Sequence, residues 1–106
     1  GYNNLVADMR SLPEIRRLGV PVCFDATHAV QLPGAQGTAS GGQREMAPVL
    51  ARAAVAAGVD AIFLEVHPDP EQSPSDAATI LPLGDVPDLL KMLTAIDQVV
   101  RSHESA

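Results

Sequence analysis

The stretch Phe24-Asp25-Ala26-Thr27-His28-Ala29-Val30-Gln31-Leu32-Pro33-Gly34, followed by Gly37-Thr38-Ala39-Ser40-Gly41-Gly42-Gln43-Arg44-Glu45, decides how this chain is read. An apolar run ends in an acid and an imidazole, and a glycine-rich connection then opens a long amphipathic segment. That order places polar chemistry at the carboxyl end of a buried strand, where α/β proteins build their sites.

Residues 20–27 read as the strand, apolar on both faces until its end. Before it, Ser11-Leu12-Pro13-Glu14 predicts a helix start. Ser11 is the cap, Pro13 fits an early position, Glu14 completes a capping box, and Gly19 stops the helix. Residues 28–42 read as a long loop. From Gln43 to Ala57, Met46, Val49, Leu50, Ala53, Ala54 and Ala57 recur at helical spacing, with Gly58 as the close. Residues 60–66 form a second buried strand, which completes a βαβ unit. The run His67-Pro68-Asp69-Pro70 ends it, because proline neither donates to a ladder nor continues a helix. Ile80-Leu81-Pro82-Leu83 is a brief third strand. Residues 86–102 are a terminal helix that buries Val86, Leu89, Leu90, Leu93, Ile96, Val99 and Val100, and Ser102 to Ala106 read as a frayed tail.

Composition narrows the classes. The 106 residues are 46% hydrophobic and 3% aromatic with no Trp, so the core must be made of small aliphatic side chains, as in alternating strand and helix layers. No apolar run approaches a membrane span. A single cysteine, Cys23, reads as core filler and cannot make an internal disulfide; with no signal-peptide pattern, the expected setting is cytoplasmic. The formal charge of −6 argues against a nucleic-acid surface, and a phosphorylated substrate would need counter-charge from elsewhere. Gly1-Tyr2-Asn3-Asn4 passes straight into organised sequence, and three parallel strands leave two raw edges, so the chain reads as a segment of something longer.

His28 follows the first strand, Glu65 ends the second and Asp76 precedes the third, so a parallel layout brings all three to one face. Imidazole and carboxylates suit Fe, Zn, Mn or Co. Each residue also has a plainer reading. His28 fits a hydrogen-bonded loop position and Asp76 a turn or cap, while Glu65, closing an apolar run, needs a cation or donor beside it. Asp25 reads either as a group that orients a ligand or as a partner in a salt bridge. His67 is a rival ligand if the strand extends that far. Ser40-Gly41-Gly42 can present a hydroxyl and N–H groups to an anion or serve as an ordinary cap. Arg44 can pair with a phosphate or with a surface acid, and Gln31 can read a substrate or brace its loop.

These motifs, with Ala51-Arg52-Ala53-Ala54 and Glu65-Val66-His67-Pro68-Asp69-Pro70, closely resemble the carboxyl-terminal part of the 3-deoxy-D-manno-octulosonate 8-phosphate synthase family. The resemblance runs from Tyr2 to the last helix. It implies that residues 1–106 are the carboxyl-terminal segment, about strands 6 to 8, of a single (β/α)8 TIM barrel and not an independent domain. It implies a cytoplasmic homotetramer of lipopolysaccharide synthesis that condenses phosphoenolpyruvate with D-arabinose 5-phosphate and is active only with the amino-terminal half of the same protein. Metal-dependent members place a divalent ion on residues matching His28, Glu65 and Asp76, with a Cys from the missing half; members with Asn there use no metal. Ser75-Asp76-Ala77 is nearer to the metal class. The resemblance gives His28 and Asp76 catalytic roles, has His28 bridge metal and substrate, and sets Gln31 near phosphoenolpyruvate and Ser40 near the sugar phosphate. Two other readings stay open: the related 3-deoxy-D-arabino-heptulosonate 7-phosphate synthase, and a non-catalytic half-barrel that binds metal or phosphate.

Overall fold

A computed structural model describes residues 7–36, 39–42, 44–73 and 79–104, with the backbone alone given for 31–36 and 39–42. The first helix, α1 (Ser11–Arg16), is shorter than its sequence pattern and lacks the capping box. Asp8 supplies the turn instead: its carboxylate accepts the Arg10 N–H at 3.0 Å, and its carbonyl accepts the Ser11 hydroxyl at 2.7 Å. Glu14 turns to Arg17 at 2.8 Å. Gly19 closes the segment with φ +83, a backbone region that favours glycine.

Strand β1 (Cys23–Asp25) pairs in parallel with β4 (Ala61–Phe63), in the register Cys23↔Ala61, Phe24↔Ile62 and Asp25↔Phe63. Between them lie a hairpin, β2 (Gln31–Gln36) with β3 (Ala39–Gly42), and helix α2 (Ala47–Ala56). The hairpin corrects the expected long loop; its register slips between Leu32 and Gln36, where Pro33 has no N–H to give to a ladder. β1 is shorter than residues 20–27 because Pro21 interrupts the edge and Val22 gives its N–H to the Asp60 carboxylate at 2.8 Å.

The second buried strand divides. Residues 61–63 pair with β1, whereas β5 (Val66–His67) pairs in parallel with β6 (Leu81–Pro82). Glu65 sits at the change of partner, giving its N–H to the Thr27 hydroxyl at 2.7 Å and accepting the Leu81 N–H at 3.0 Å. The chain therefore ends one pairing and begins another with both the N–H and the carbonyl of Glu65 hydrogen-bonded.

Packing selects a smaller helix face than hydrophobicity alone suggests. In α2 the fully covered residues are Ala47, Ala51, Ala54 and Val55, while Met46 and Val49 are exposed. Alanines permit the helix to lie close to the strands, and the larger side chains stay outside. The last helix, α3 (Val86–Glu104), buries Leu89 and Leu93 and leaves Leu90 and Val99 open. It runs past the expected tail because its end is tied down. The Arg101 guanidinium reaches the Val59 carbonyl at 2.8 Å and Glu104 at 2.9 Å, and Glu104 also meets Arg16 at 3.3 Å.

The core joins Leu12, Val22, Phe24, Ala26 and Val30 to the alanine face of α2 and to Leu89 and Leu93 of α3. On β1 it is Phe24 that enters this core, between the less covered Cys23 and Asp25. Opposite, Cys23, Ala61 and Phe63 are exposed in this stretch of chain, so Cys23 is not part of this core. In a closed barrel that opposite side is the filled interior, built from alternate strands. Among the described residues no helix is long and apolar enough to cross a membrane.

Candidate active site

At the carboxyl end of β1 the chain turns immediately into a single 3-10 turn, His28–Val30. Asp25 makes that turn. Its Oδ1 accepts the His28 backbone N–H at 2.9 Å, and its Oδ2 lies 2.8 Å from His28 Nδ1. The far nitrogen, Nε2, faces Glu65 Oε1 at 3.6 Å, beyond hydrogen-bond length. The Phe63 ring stands beside the imidazole, with ring centroids 6.4 Å apart. His28, Asp25 and Glu65 are each partly exposed.

Of the three residues expected to converge, His28 and Glu65 do so, although they stand 37 positions apart (65 − 28) in the chain. Parallel pairing of β1 with β4 is what brings their strand ends together. Asp76 lies outside the described residues, and the side chains of Gln31 and Ser40 are likewise outside them. The backbone sets Gln31 opposite Gly42 and leaves Ser40 one residue from Gly41, so both belong to the hairpin that follows His28. Among the described residues no group of three His, Cys, Asp or Glu side chains is gathered tightly enough to hold an ion. His67 is otherwise engaged: its Nδ1 accepts the Asp69 N–H at 2.9 Å and braces the turn.

Arg44 pairs with a surface acid. Its guanidinium meets Glu71 at 3.0 Å and ties the start of the helical segment to the 3-10 turn Pro70–Gln72. Thr27 is the residue that sequence reasoning missed. It is wholly buried, and its hydroxyl holds the Glu65 backbone across the gap between strands. A threonine ending an apolar strand offers one signal, a hydroxyl that must find a partner when buried, but not the partner's identity.

The opposite end of the strands carries a different cluster. Asp60 accepts the Val22 N–H and lies 3.4 Å from Arg16 and 3.9 Å from Arg101. Arg101 also holds Asp97 at 3.1 Å. The Val22 N–H, with help from the two arginines, holds the Asp60 carboxyl below its ordinary value, and Arg101 does the same to Glu104.

Comparison with known proteins fits this layout. The family model described as DAHP synthetase I matches residues 1–102. The chain belongs to the DAHP synthetase I family. It is 62% identical over 103 residues to the 2-dehydro-3-deoxyphosphooctonate aldolase of Verminephrobacter eiseniae, covering 97% of this chain and 36% of that protein. The protein of the same name from Geobacter sulfurreducens is 62% identical over 101 residues, or 95% of this chain and 37% of the relative. The chain thus spans little more than a third of the length of the curated relatives it matches. Among solved structures, the phospho-2-dehydro-3-deoxyheptonate aldolase (DAHP synthase) of Thermotoga maritima superposes with a TM-score of 0.74 at 28% identity, over 90% of this chain and 25% of that one. The fold is the carboxyl-terminal portion of a (β/α)8 barrel, as the resemblance implied.

Proposed function

We propose that this chain is part of an enzyme that condenses phosphoenolpyruvate with D-arabinose 5-phosphate and water, giving 3-deoxy-D-manno-octulosonate 8-phosphate and phosphate. The observation that carries the reading is the identity of 61–62% over 95% or more of the chain to relatives named 2-dehydro-3-deoxyphosphooctonate aldolase. The heptulosonate alternative rests on structures at 27–28% identity. In the proposed reaction the phosphoenolpyruvate methylene carbon forms a bond to the aldehyde carbon, whose oxygen takes a proton. Water adds at the neighbouring carbon, and the C–O bond to phosphate then breaks.

His28 and Glu65 are the residues of this chain that face that chemistry. Their Nε2 and Oε1 atoms, 3.6 Å apart, stand at about the separation of two ligands each roughly 2.1 Å from one tetrahedral ion. The donor set, one imidazole and one carboxylate, suits Zn, Fe, Mn or Co, with Asp76 and a residue from the rest of the barrel as further ligands. Such an ion, when bound, supplies a positive charge that polarises an oxygen in the site. Independently of any ion, His28 and Glu65 hold a proton or orient a hydroxyl at the strand ends, and the resemblance sets Gln31 near phosphoenolpyruvate and Ser40 near the sugar phosphate. The barrel would be completed by the amino-terminal half of the same polypeptide, in a cytoplasmic homotetramer. The uncovered strand side with Cys23, Ala61 and Phe63 supports that completion.

Initial rates of the full-length protein with arabinose 5-phosphate against erythrose 4-phosphate test the reading. A clear preference for the five-carbon sugar is expected, and preference for the four-carbon sugar would transfer the chain to the heptulosonate reaction. Elemental analysis with activity before and after chelation tests the metal; full activity in metal-free protein would remove the ion and leave His28 and Glu65 as hydrogen-bonding groups.

A further inference from the structure

We infer that Asp25 and Thr27 are positioning residues: Asp25 selects the tautomer of His28 that turns an unprotonated Nε2 towards Glu65, and Thr27 sets Glu65 opposite it. The inference rests on the reading that His28 and Glu65 serve the site.

Asp25 does two separate things with its two oxygens. Through Oδ1 it accepts the His28 N–H at 2.9 Å, which is an ordinary local turn and requires only one acceptor. Through Oδ2 it meets Nδ1 at 2.8 Å, a contact that adds nothing to the turn. A carboxylate has lone pairs only, so the ring nitrogen must carry the hydrogen of that bond. In a neutral imidazole with Nδ1 protonated, Nε2 holds a lone pair, and here Nε2 stands 3.6 Å from Glu65 Oε1. That tautomer lets both atoms accept from one cation or donated proton placed between them. With the opposite tautomer, Nε2–H would itself turn to the carboxylate, and the pair would satisfy itself.

Thr27 provides the other half of the arrangement. Its hydroxyl is 0% exposed and accepts the Glu65 N–H at 2.7 Å, just where β4 ends. The Glu65 carbonyl accepts the Leu81 N–H at 3.0 Å, so its peptide is held from both sides at the change of strand partner. Asp25 and Thr27 are two residues apart on one strand end, so a single segment sets both functional side chains. Removing such an outer hydrogen bond typically costs about 10–100-fold in activity or metal affinity.

Asp25→Asn separates the two jobs of Asp25 in the full-length protein. The amide oxygen retains the backbone turn, but its NH2 group now faces Nδ1 and drives the ring proton to Nε2. Nitrogen-15 chemical shifts of the His28 ring, read in metal-free protein at about pH 8.5, above the ordinary imidazole range, report the tautomer without reference to turnover. The parent is expected to carry Nδ1–H and Asp25→Asn to carry Nε2–H, with unchanged melting temperature and kcat lower by about 10–100-fold. Thr27→Val should lower kcat similarly, and Thr27→Ser should restore it. A parent ring protonated at Nε2, or the same tautomer in parent and variant, overturns the role of Asp25. Parental kcat in Thr27→Val overturns that of Thr27. Should His28→Ala retain full activity, the site reading itself fails; a dead His28→Ala beside unaffected Asp25→Asn and Thr27→Val defeats this inference alone.

Discussion

The two ends of the β1 and β4 pair use charged residues for opposite purposes. At the carboxyl end, Asp25, His28 and Glu65 form a small acid-rich cluster in which Asp25 holds His28 Nδ1 at 2.8 Å while His28 Nε2 and Glu65 Oε1 stand 3.6 Å apart, longer than a hydrogen bond. At the amino end, Asp60 and Glu104 are matched against Arg16 and Arg101, and their hydrogen bonds reach backbone groups of neighbouring elements. The first cluster is partly exposed and carries two carboxylates around one imidazole, a donor set that suits a ligand-binding site. The second consumes its donors and acceptors internally and joins α1, the start of β4 and the end of α3. A barrel separates chemistry and stability along its strands in this way, with reactive groups beyond the carboxyl ends and structural ties beyond the amino ends.

Substitutions at the carboxyl end should affect turnover far more than folding. In the full-length protein, His28→Ala is expected to lower kcat/KM by at least about a hundredfold, the usual scale for losing a positioned acid–base or ligand group, with little change in the thermal midpoint. Steady-state kinetics with a melting curve on the same sample checks it, and a large loss of stability with intact turnover would break the division of labour between the ends. Arg101→Leu should do the reverse. It removes bonds to the Val59 carbonyl, Asp97 and Glu104, so the midpoint should fall by a few degrees while kcat/KM stays within about twofold.

The same network predicts an acid limb in stability. Asp60 and Glu104 are held below their ordinary carboxyl values, Asp60 first by the Val22 N–H and Glu104 first by Arg101. As pH falls below the range in which free carboxyls titrate, about 4, the unfolded chain binds protons first and the folded state is penalised. Their stabilisation is therefore complete above that range and is lost on descending through the folded values. Denaturant midpoints between about pH 6 and 3 should fall less steeply in Asp60→Asn with Glu104→Gln than in the parent. The smallest effect belongs to the exposed pair of Asp8 with Arg10. It lies where solvent screens it, and Arg10→Gln should leave both midpoint and turnover unchanged within error.

The βαβ unit was legible because its signals are local. Gly19 and Gly58 stop helices where a positive φ is needed, and the apolar runs around Phe24 and Ile62 have no other stable use than paired strands. The helix faces were only half legible: periodicity ranked Met46, Val49, Leu90 and Val99 with the core by hydrophobicity, whereas close approach to a sheet favours alanine and leaves larger groups outside. The hairpin of 31–36 with 39–42 was missed because glycine and proline mark a turn and a loop alike, and pairing depends on partners across the turn.

For the site, residue type and place along each strand were enough to nominate His28 and Glu65, since parallel strands must end on a common side. Which atoms meet was settled only by the tertiary structure. The sequence alone determined that an acid, a threonine and an imidazole close one buried strand and a glutamate closes the next. Register and packing decided that Asp25 grips Nδ1, that Nε2 turns to Glu65, and that Thr27 reaches the Glu65 backbone. Chemical identity is carried by each residue, but a hydrogen bond between residues 38 positions apart exists only once two strands have chosen their alignment.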